Sequence, residues 1–265
     1  CGAKKFEHEP KGFCCRSGQI RLTNQDTPPE LMKLWTSDDS VAQHFRDNIR
    51  FFNGHFSFTS LYCHLDRETT NMSRSGIYTF RAHGQIYHNI HSFGSDGSDP
   101  KHLQLYFYDD DPSLEHRYRR CRPELYEQDK GVIDILTNTL RGNPYSEQFR
   151  SLGQAENLED YRVMLNLDQK LDQRTYNEPI TSEVAEVWVE GNERRKTFDK
   201  SVILHGNNNE VQGIRSYHAC YDPLSYPLFF PRAELGWHAE IPKNGVNIED
   251  MIKARGNRNN NDDPG

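Results

Sequence analysis

Two stretches of the chain, GVIDILTNTL (Gly131–Leu140) and YRVMLNLD (Tyr161–Asp168), decide the fold class. In the first, apolar residues recur at spacings of three and four, which is typical of one face of an α-helix. The second is a short apolar run with a polar residue at its end, which is typical of a β-strand. A chain that groups helices and strands in separate runs, as this one does, is predicted to be an α+β protein.

The neighbouring sequence extends both patterns. A helical pattern covers residues 112 to about 153, and the break Gly142-Asn143-Pro144 is expected to split it into two helices. Further elements are predicted on the same grounds: helices at Glu30–Trp35 and 38–52, and strands at 51–66, 102–111, 183–191 and 200–206.

A histidine-rich segment, FRAHGQIYHNIHSF (Phe80–Phe93), is also predicted to be β-structure. It is expected to form a hairpin turning near Gly84. His88 and His91 are three residues apart, so on one strand their side chains face opposite ways and do not share a metal ion. The predicted fold is therefore α+β, with a mostly antiparallel β-sheet core, a helical insertion at about 112–153 and a small Cys-bearing amino-terminal lead.

The composition limits the classes of function. The net charge of -7 and the pI near 6.0 give no overall basic field, so any contact with DNA has to come from local patches. No run of about 18 apolar residues is present, so a membrane partner is not expected. The six cysteines are sparse, which is typical of a reducing, intracellular compartment.

Three segments are predicted along the chain. Residues 1–22 form the Cys-bearing lead, residues 23–242 the α+β domain and residues 243–265 a polar linker. The first residue is a cysteine and the last ten are GNRNNNDDPG. We therefore expect the chain to be a piece of a longer polypeptide.

Two basic patches are candidates for DNA binding, because each positive charge near a phosphate releases a counterion. The first is HRYRRCR (His116–Arg122), expected to be helical, and the second is ERRK (Glu193–Lys196). The residues predicted to contact DNA are Arg117, Arg119, Arg120, Arg122, Arg194, Arg195 and Lys196. A solvated helix face is the alternative interpretation of the first patch, and nearby acids such as Asp109 and Glu115 are expected to weaken it.

Two metal sites are considered. Cys1, Cys14 and Cys15 supply soft thiolates of the kind that bind zinc, although their spacing leaves the site incomplete. His64 and Asp66 lie two apart, so on a strand they share a face. With His205 or His218 they make the two-histidine, one-carboxylate set of an iron-dependent oxygenase. No phosphate-binding loop, nucleophile elbow or His-hydrophobic-His pair is found.

Several segments together resemble the amino-terminal region of Helitron transposon proteins, which are rolling-circle replication initiators and helicases (helitron helicase-like). The resemblance covers nearly the whole chain, and its segments occur in the family's order. They are CGA (1–3), FCCRSGQIRL (13–22), PPEL (28–31), FRDNIRFFNGHFSFTSL (45–61), GIYTFRAHGQIYHNI (76–90), LQLYFYDDD (103–111), RTYNEPITSEVAEVWV (174–189) and YHACYDPLSYPLFFPRAELGWH (217–238).

The resemblance implies a nuclear protein whose strand-nicking nuclease and ATP-dependent helicase follow the last matching segment. This chain is then a non-catalytic module that recognises or positions DNA, either a single strand or a transposon end, for those two domains. The lead resembles a zinc-finger-like segment that lacks one family cysteine, so zinc is implied for the intact protein. The family has the aspartate at Asp66 but no histidine at His64, which weakens the iron hypothesis. A scaffold that docks on the nuclease domain and touches no DNA remains a third hypothesis.

Overall fold

The computed structural model describes residues 12, 15–22, 26–65, 82–94, 98–167, 179–191, 198, 201–208, 210–238, 241–247 and 250. The chain divides into two compact units. The smaller contains 1–26, 170–177 and 237–265, and the larger contains 27–169 and 178–236. The larger unit thus covers most of the predicted domain 23–242. In the smaller unit, the amide of Asn244 donates to the carbonyl of Gln19 at 2.7 Å.

The larger unit contains eight α-helices among its described residues. They are α1 (Pro29–Thr36), α2 (Ser40–Asp47), α3 (Ile49–Phe56), α4 (Glu115–Tyr118), α5 (Tyr126–Thr139), α6 (Pro144–Leu152), α7 (Thr181–Val184) and α8 (Tyr221–Ser225). Short 3-10 helices cover His102–Tyr108, Pro123–Leu125, Leu140–Gly142 and Leu158–Asp160.

Within the described ranges, six strands form two three-stranded antiparallel sheets. The strands are β1 (Ser60–Leu65), β2 (Ala82–His91), β3 (Tyr161–Asn166), β4 (Ala185–Val189), β5 (Ser201–His205) and β6 (Val211–Ile214). The first sheet has the order β1-β2-β6, with Ser60 opposite Asn89 and His88 opposite Ile214. The second has the order β4-β3-β5, with Val163 opposite both Val187 and Leu204. The α+β prediction with antiparallel sheets is confirmed.

Asn143 explains why the helical insertion breaks where the sequence indicates. Its side-chain oxygen accepts hydrogen bonds from the amides of Tyr145 and Ser146 at 3.0 and 3.3 Å, which caps α6, and Pro144 begins that helix. A proline fits the first helical position because its missing N–H has no partner there anyway. The side-chain amide of Asn143 also donates to the carbonyl of Pro231 at 3.0 Å. The two predicted helices are therefore α5 and α6, and the expected insertion is confirmed.

Within a core that is mainly aliphatic, a group of aromatic rings packs together. Phe58 stacks on Tyr106 with 4.4 Å between ring centroids, and Tyr145 and Phe149 surround Phe58 at 5.6 and 5.7 Å. All four are fully buried. The hydroxyl of Tyr106 is also satisfied, donating to the carbonyl of Phe56 at 2.6 Å. Aromatic residues from α6, from the 3-10 helix His102–Tyr108 and from the segment between α3 and β1 therefore meet in one cluster.

Three local predictions are wrong. FFNGHF, at the start of the predicted strand 51–66, belongs to α3, and only Ser60–Leu65 is extended. The predicted strand 102–111 is a 3-10 helix. Gly84 lies inside one continuous strand, β2, rather than at a hairpin turn. The pairing of β1 with β2 is irregular at this point. Tyr62 lies opposite Tyr87 and His64 lies opposite His83, so a short stretch of β1 is paired with a longer stretch of β2.

Candidate nucleic-acid interface

The segment His116–Arg122 is mostly not helical. Only α4, which ends at Tyr118, has helical geometry, and turns follow it. A left-handed Leu114 precedes α4, with φ of 47°. The four arginines of this segment therefore have separate environments rather than sharing one helix face.

Arg117 is a structural residue, which corrects its prediction as a DNA contact. Only 1% of it is exposed. Its Nε and Nη2 donate to the two carboxylate oxygens of Asp109 at 2.5 and 2.7 Å, and Nη1 donates to the carbonyl of His55 at 3.0 Å. The guanidinium lies between the rings of Phe56 and Tyr106, at 4.3 and 4.7 Å from their centroids. Each of its three nitrogens has an internal partner, and the burial of the side chain keeps it from a phosphate.

Arg122 is held by internal partners, but its side chain is 30% exposed, so its DNA contact stays a prediction. Nη2 and Nε donate to the carboxylate of Asp129 at 2.6 and 3.0 Å, and Nη1 donates to Asn48 at 2.7 Å. Burial raises the pKa of Asp129, but the hydrogen bonds from Arg122 outweigh it and bring that pKa to about 2. Nε2 of His44 lies 2.8 Å from the same carboxylate. Arg122 thus joins α2, α3 and α5.

Arg119 is exposed but has acidic neighbours. It hydrogen-bonds Glu115 one helical turn before it, and its Nη1 lies 3.9 Å from Asp99. The acids expected to weaken this patch do pair with its arginines, Glu115 with Arg119 and Asp109 with Arg117, while their effect on DNA binding stays a prediction. A surface pair of this kind contributes little to stability and is screened by salt.

Arg120 differs from the other three. It is half-buried, and it forms no ion pair with any residue that the structure describes. Its Nη1 is shielded from solvent and has no hydrogen-bond partner among those residues. Burial lowers the pKa of Arg120, and the charge of Arg117 lowers it further. A cation with this environment is stabilised by any anion that reaches it.

A polar cavity of about 350 Å³ lies next to Lys101 and His102. Ser60 and His91, at the facing ends of β1 and β2, also line it, and their side chains bond at 3.0 Å between Ser60 Oγ and His91 Nε2. Its remaining lining residues are Ser92, Ser98, Leu103 and Gln104. His102 has a φ of 52°, the left-handed region that few non-glycine residues adopt, and its Nδ1 is buried without a described hydrogen-bond partner.

The permanent positive charges near this cavity come from Lys101, which lines it, and from Arg120, whose charge acts on His102. Burial lowers the pKa of His102 to about 4, and the charges of Arg120 and His91 add to that effect. Burial also lowers the pKa of His91, with a contribution from Lys101. None of the main contributions to these two shifts comes from a carboxylate. We refer to Lys101, His102, His91 and Arg120 as the basic cluster, and its field favours an anion.

Arg120 is the member of the basic cluster that the sequence predicts as a site residue, whereas Lys101, His102 and His91 are not predicted. The missed signal is the pair Lys101-His102 at the start of a segment assigned to a strand. Because that segment is a 3-10 helix, it brings the pair towards the end of the first sheet, which strand geometry does not predict. His88 has a structural contact, since its Nδ1 bonds the hydroxyl of Tyr221 at 2.6 Å.

The other predicted site residues mostly lie outside the described part of the chain. These are Arg194, Arg195, Lys196, Cys1, Cys14 and Asp66. Cys15 is a free, half-buried thiol whose Sγ lies 3.8 Å from the carbonyl of Gly12. His64 is on β1 of the first sheet, His205 on β5 of the second, and His218 in a turn. Among described residues, no three His, Cys, Asp or Glu side chains are placed to hold a metal ion. The zinc and iron sites stay predictions.

In the described ranges no helix has the length and apolar character needed to cross a membrane.

The candidate site is a cluster of basic side chains beside a polar cavity, at the end of the first sheet. No protein-family model, curated protein or solved structure matches this chain.

Proposed function

We propose that this chain is a non-catalytic DNA-recognition and positioning module of a Helitron-type rolling-circle transposition protein. It binds single-stranded DNA through the basic cluster. The observation that carries the proposal is Arg120, whose half-buried guanidinium has no described acidic partner. The eight sequence segments that resemble the Helitron amino-terminal region support the same function, and they indicate the kind of protein in which the module acts.

The chemistry of the cluster suits a phosphodiester. Arg120 and Lys101 supply permanent charge, whereas His102 and Ser60 supply uncharged polar groups beside the cavity. Binding of a phosphate replaces water and counterions near these groups, and the released counterions favour binding at low salt. The net charge of the whole chain is -7, which repels DNA, so contact is restricted to this region.

In this proposal the module supplies position and not chemistry. Strand nicking and ATP-dependent unwinding belong to nuclease and helicase domains of the same longer polypeptide, which acts in the nucleus. Zinc binding by the Cys-bearing lead is part of the proposal for the intact protein only. The basic cluster then holds the strand while those domains act on it.

Salt-dependent binding of a labelled single strand tests the proposal. Fluorescence anisotropy gives the affinity of the 265-residue chain at several salt concentrations. We expect Arg120→Ala to reduce the slope of log K against log salt by about 0.7, the value for one phosphate contact on single-stranded DNA. Arg119→Ala is the matched control, since Arg119 is adjacent and already paired with Glu115.

The proposal predicts that the control keeps most of the wild-type slope. Equal slopes for wild type and Arg120→Ala contradict the assignment of this residue. Absence of any salt-dependent binding contradicts the DNA-binding function and favours the scaffold hypothesis instead.

A further inference from the structure

A second cavity, of about 500 Å³ and mostly apolar, lies between α3, β1 and α8. We refer to it as the apolar cavity. Leu61, Tyr226 and Phe229 supply its apolar walls, and Arg50 and Asn53 of α3 complete it. A concave apolar space with few polar groups is the usual form of a binding site for a small molecule or a single chemical group.

Asn53 gives the apolar cavity an unused hydrogen-bond acceptor. Its Nδ2 donates to the carbonyl of Ser225 at 2.9 Å, which fixes the orientation of the amide. Its Oδ1 is shielded from solvent and has no partner among the described residues. A buried acceptor without a partner is unfavourable, so a donor that enters this cavity is bound with additional stabilisation. The unused group thus selects a ligand that carries an N–H or O–H.

The aromatic wall is exposed to an unusual degree. Phe229 is 55% exposed although its ring lies 5.2 Å from Trp35, and Leu61 is 56% exposed. Tyr226 is held in place by His88, with 5.4 Å between ring centroids. Exposed apolar side chains that gather around a cavity indicate a site that a ligand covers. A flat ring is the ligand shape that these rings bind best.

Arg50 adds a positive charge to the same cavity. It is exposed and forms no ion pair with a described residue. An aromatic ligand with an N–H donor and a neighbouring negative charge therefore matches all three features of the cavity.

The apolar cavity also adjoins the basic cluster. His102 lines both the apolar and the polar cavity. Thr59 and Leu61 line the apolar cavity, whereas Ser60 between them lines the polar cavity, because neighbouring side chains of an extended chain face opposite ways. A strand with a phosphate in the polar cavity therefore has its next nucleotide close to the apolar one.

We propose that the apolar cavity binds one unstacked nucleobase of a single strand, with Phe229 and Tyr226 against its face, Asn53 Oδ1 on its amino group and Arg50 on its phosphate. This inference rests on the proposed DNA-binding function and adds to it a subsite for the base. An apolar side chain of a protein partner uses neither the acceptor of Asn53 nor the charge of Arg50. The polar features of the cavity thus favour the nucleobase.

Two oligonucleotides that differ by a single base test the proposal. One is a fully abasic strand of about twelve nucleotides, within the usual site size for such proteins. The other is the same strand with one adenine at its centre. We expect the full chain to bind the second about tenfold more tightly, because stacking of one base on an aromatic side chain gives a factor of about 5 to 150. Phe229→Ala should bring the two affinities together.

The control variant is Tyr217→Ala, which removes an equally exposed aromatic ring outside the cavity and should keep the tenfold difference. The urea midpoint of each variant shows that it remains folded. Equal, salt-dependent binding of both strands by wild type overturns the base subsite and leaves the DNA-binding function in place. That is also the result expected if the cavity takes a protein side chain. Absence of binding to both strands, and to ordinary single-stranded DNA, overturns the proposed function itself.

Discussion

Replacing Arg117 by alanine should lower the free energy of unfolding by about 3–5 kcal/mol, the usual loss when one partner of a buried ion pair is removed. The reason is the carboxylate left behind. Asp109 is buried and receives two hydrogen bonds from this guanidinium, at 2.5 and 2.7 Å. The variant also loses the contacts of Arg117 with the rings of Phe56 and Tyr106.

Equilibrium urea denaturation measures this loss. Typical domains have a total stability of about 5–15 kcal/mol, so the variant should be visibly less stable or partly unfolded in buffer. Arg119→Ala is the control two residues away, and it should change stability by about 0–1 kcal/mol because its ion pair is exposed. The double variant Arg117→Met with Asp109→Leu should be more stable than Arg117→Ala, since it leaves no unpaired buried charge.

A loss below about 1 kcal/mol for Arg117→Ala refutes the structural role of the pair, since that is the range of exposed pairs. The result also decides how DNA-binding data on this segment are understood. Weak binding by Arg117→Ala reflects a smaller folded fraction, whereas weak binding by Arg120→Ala at unchanged stability reflects a lost contact.

Two further perturbations follow from the structure. Burial lowers the folded-state pKa of His102 to about 4 and that of His55 to about 3, so the unfolded chain binds more protons than the folded chain below pH 6.5. The free energy of unfolding should therefore fall from pH 6.5 towards pH 4, by at most about 1.4 kcal/mol per pH unit for each histidine. Urea midpoints at several pH values measure this fall, and His102→Asn should reduce its slope. Gly153→Ala should destabilise the protein strongly, because the new Cβ would lie 1.8 Å from the carbonyl oxygen of Phe107. Gly131→Ala within α5 has open space around its Cβ, so it should increase the free energy of unfolding by about 0.5–1 kcal/mol and raise the melting temperature slightly. An unchanged melting temperature for both variants contradicts this reasoning.

The sequence predicts the fold best where a single pattern repeats. The helices α5 and α6 follow the 3.6-residue period and the cap at Asn143, and the strands β3, β4 and β5 follow short apolar runs. The prediction fails for His102–Tyr108, where Leu103, Leu105, Tyr106 and Phe107 are all buried. A run buried on every side has no period, so only its tertiary packing distinguishes a helix from a strand.

The site is less predictable than the fold, because charge alone does not show whether a side chain already has a partner. The segment HRYRRCR contains four arginines of equal charge. Asp109 and Asp129 take two of them into the interior, and Asp129 is seven residues further along the chain than Arg122. The availability of Arg120 follows from the geometry of these pairs, which no spacing rule predicts.

The pairing of β2 with β6 has a consequence for the synthesis of the protein. β2 cannot complete its sheet until Val211–Ile214 has left the ribosome, more than a hundred residues later. The amide of Phe58 donates a hydrogen bond to the carbonyl of Leu224 at 3.0 Å, and this bond likewise cannot form until Leu224 has been synthesised. Contacts of such long sequence separation form late and slowly. The nascent chain should therefore keep the strand β2 unpaired on one side while residues 92 to 214 are synthesised, and it should need chaperone protection in that interval.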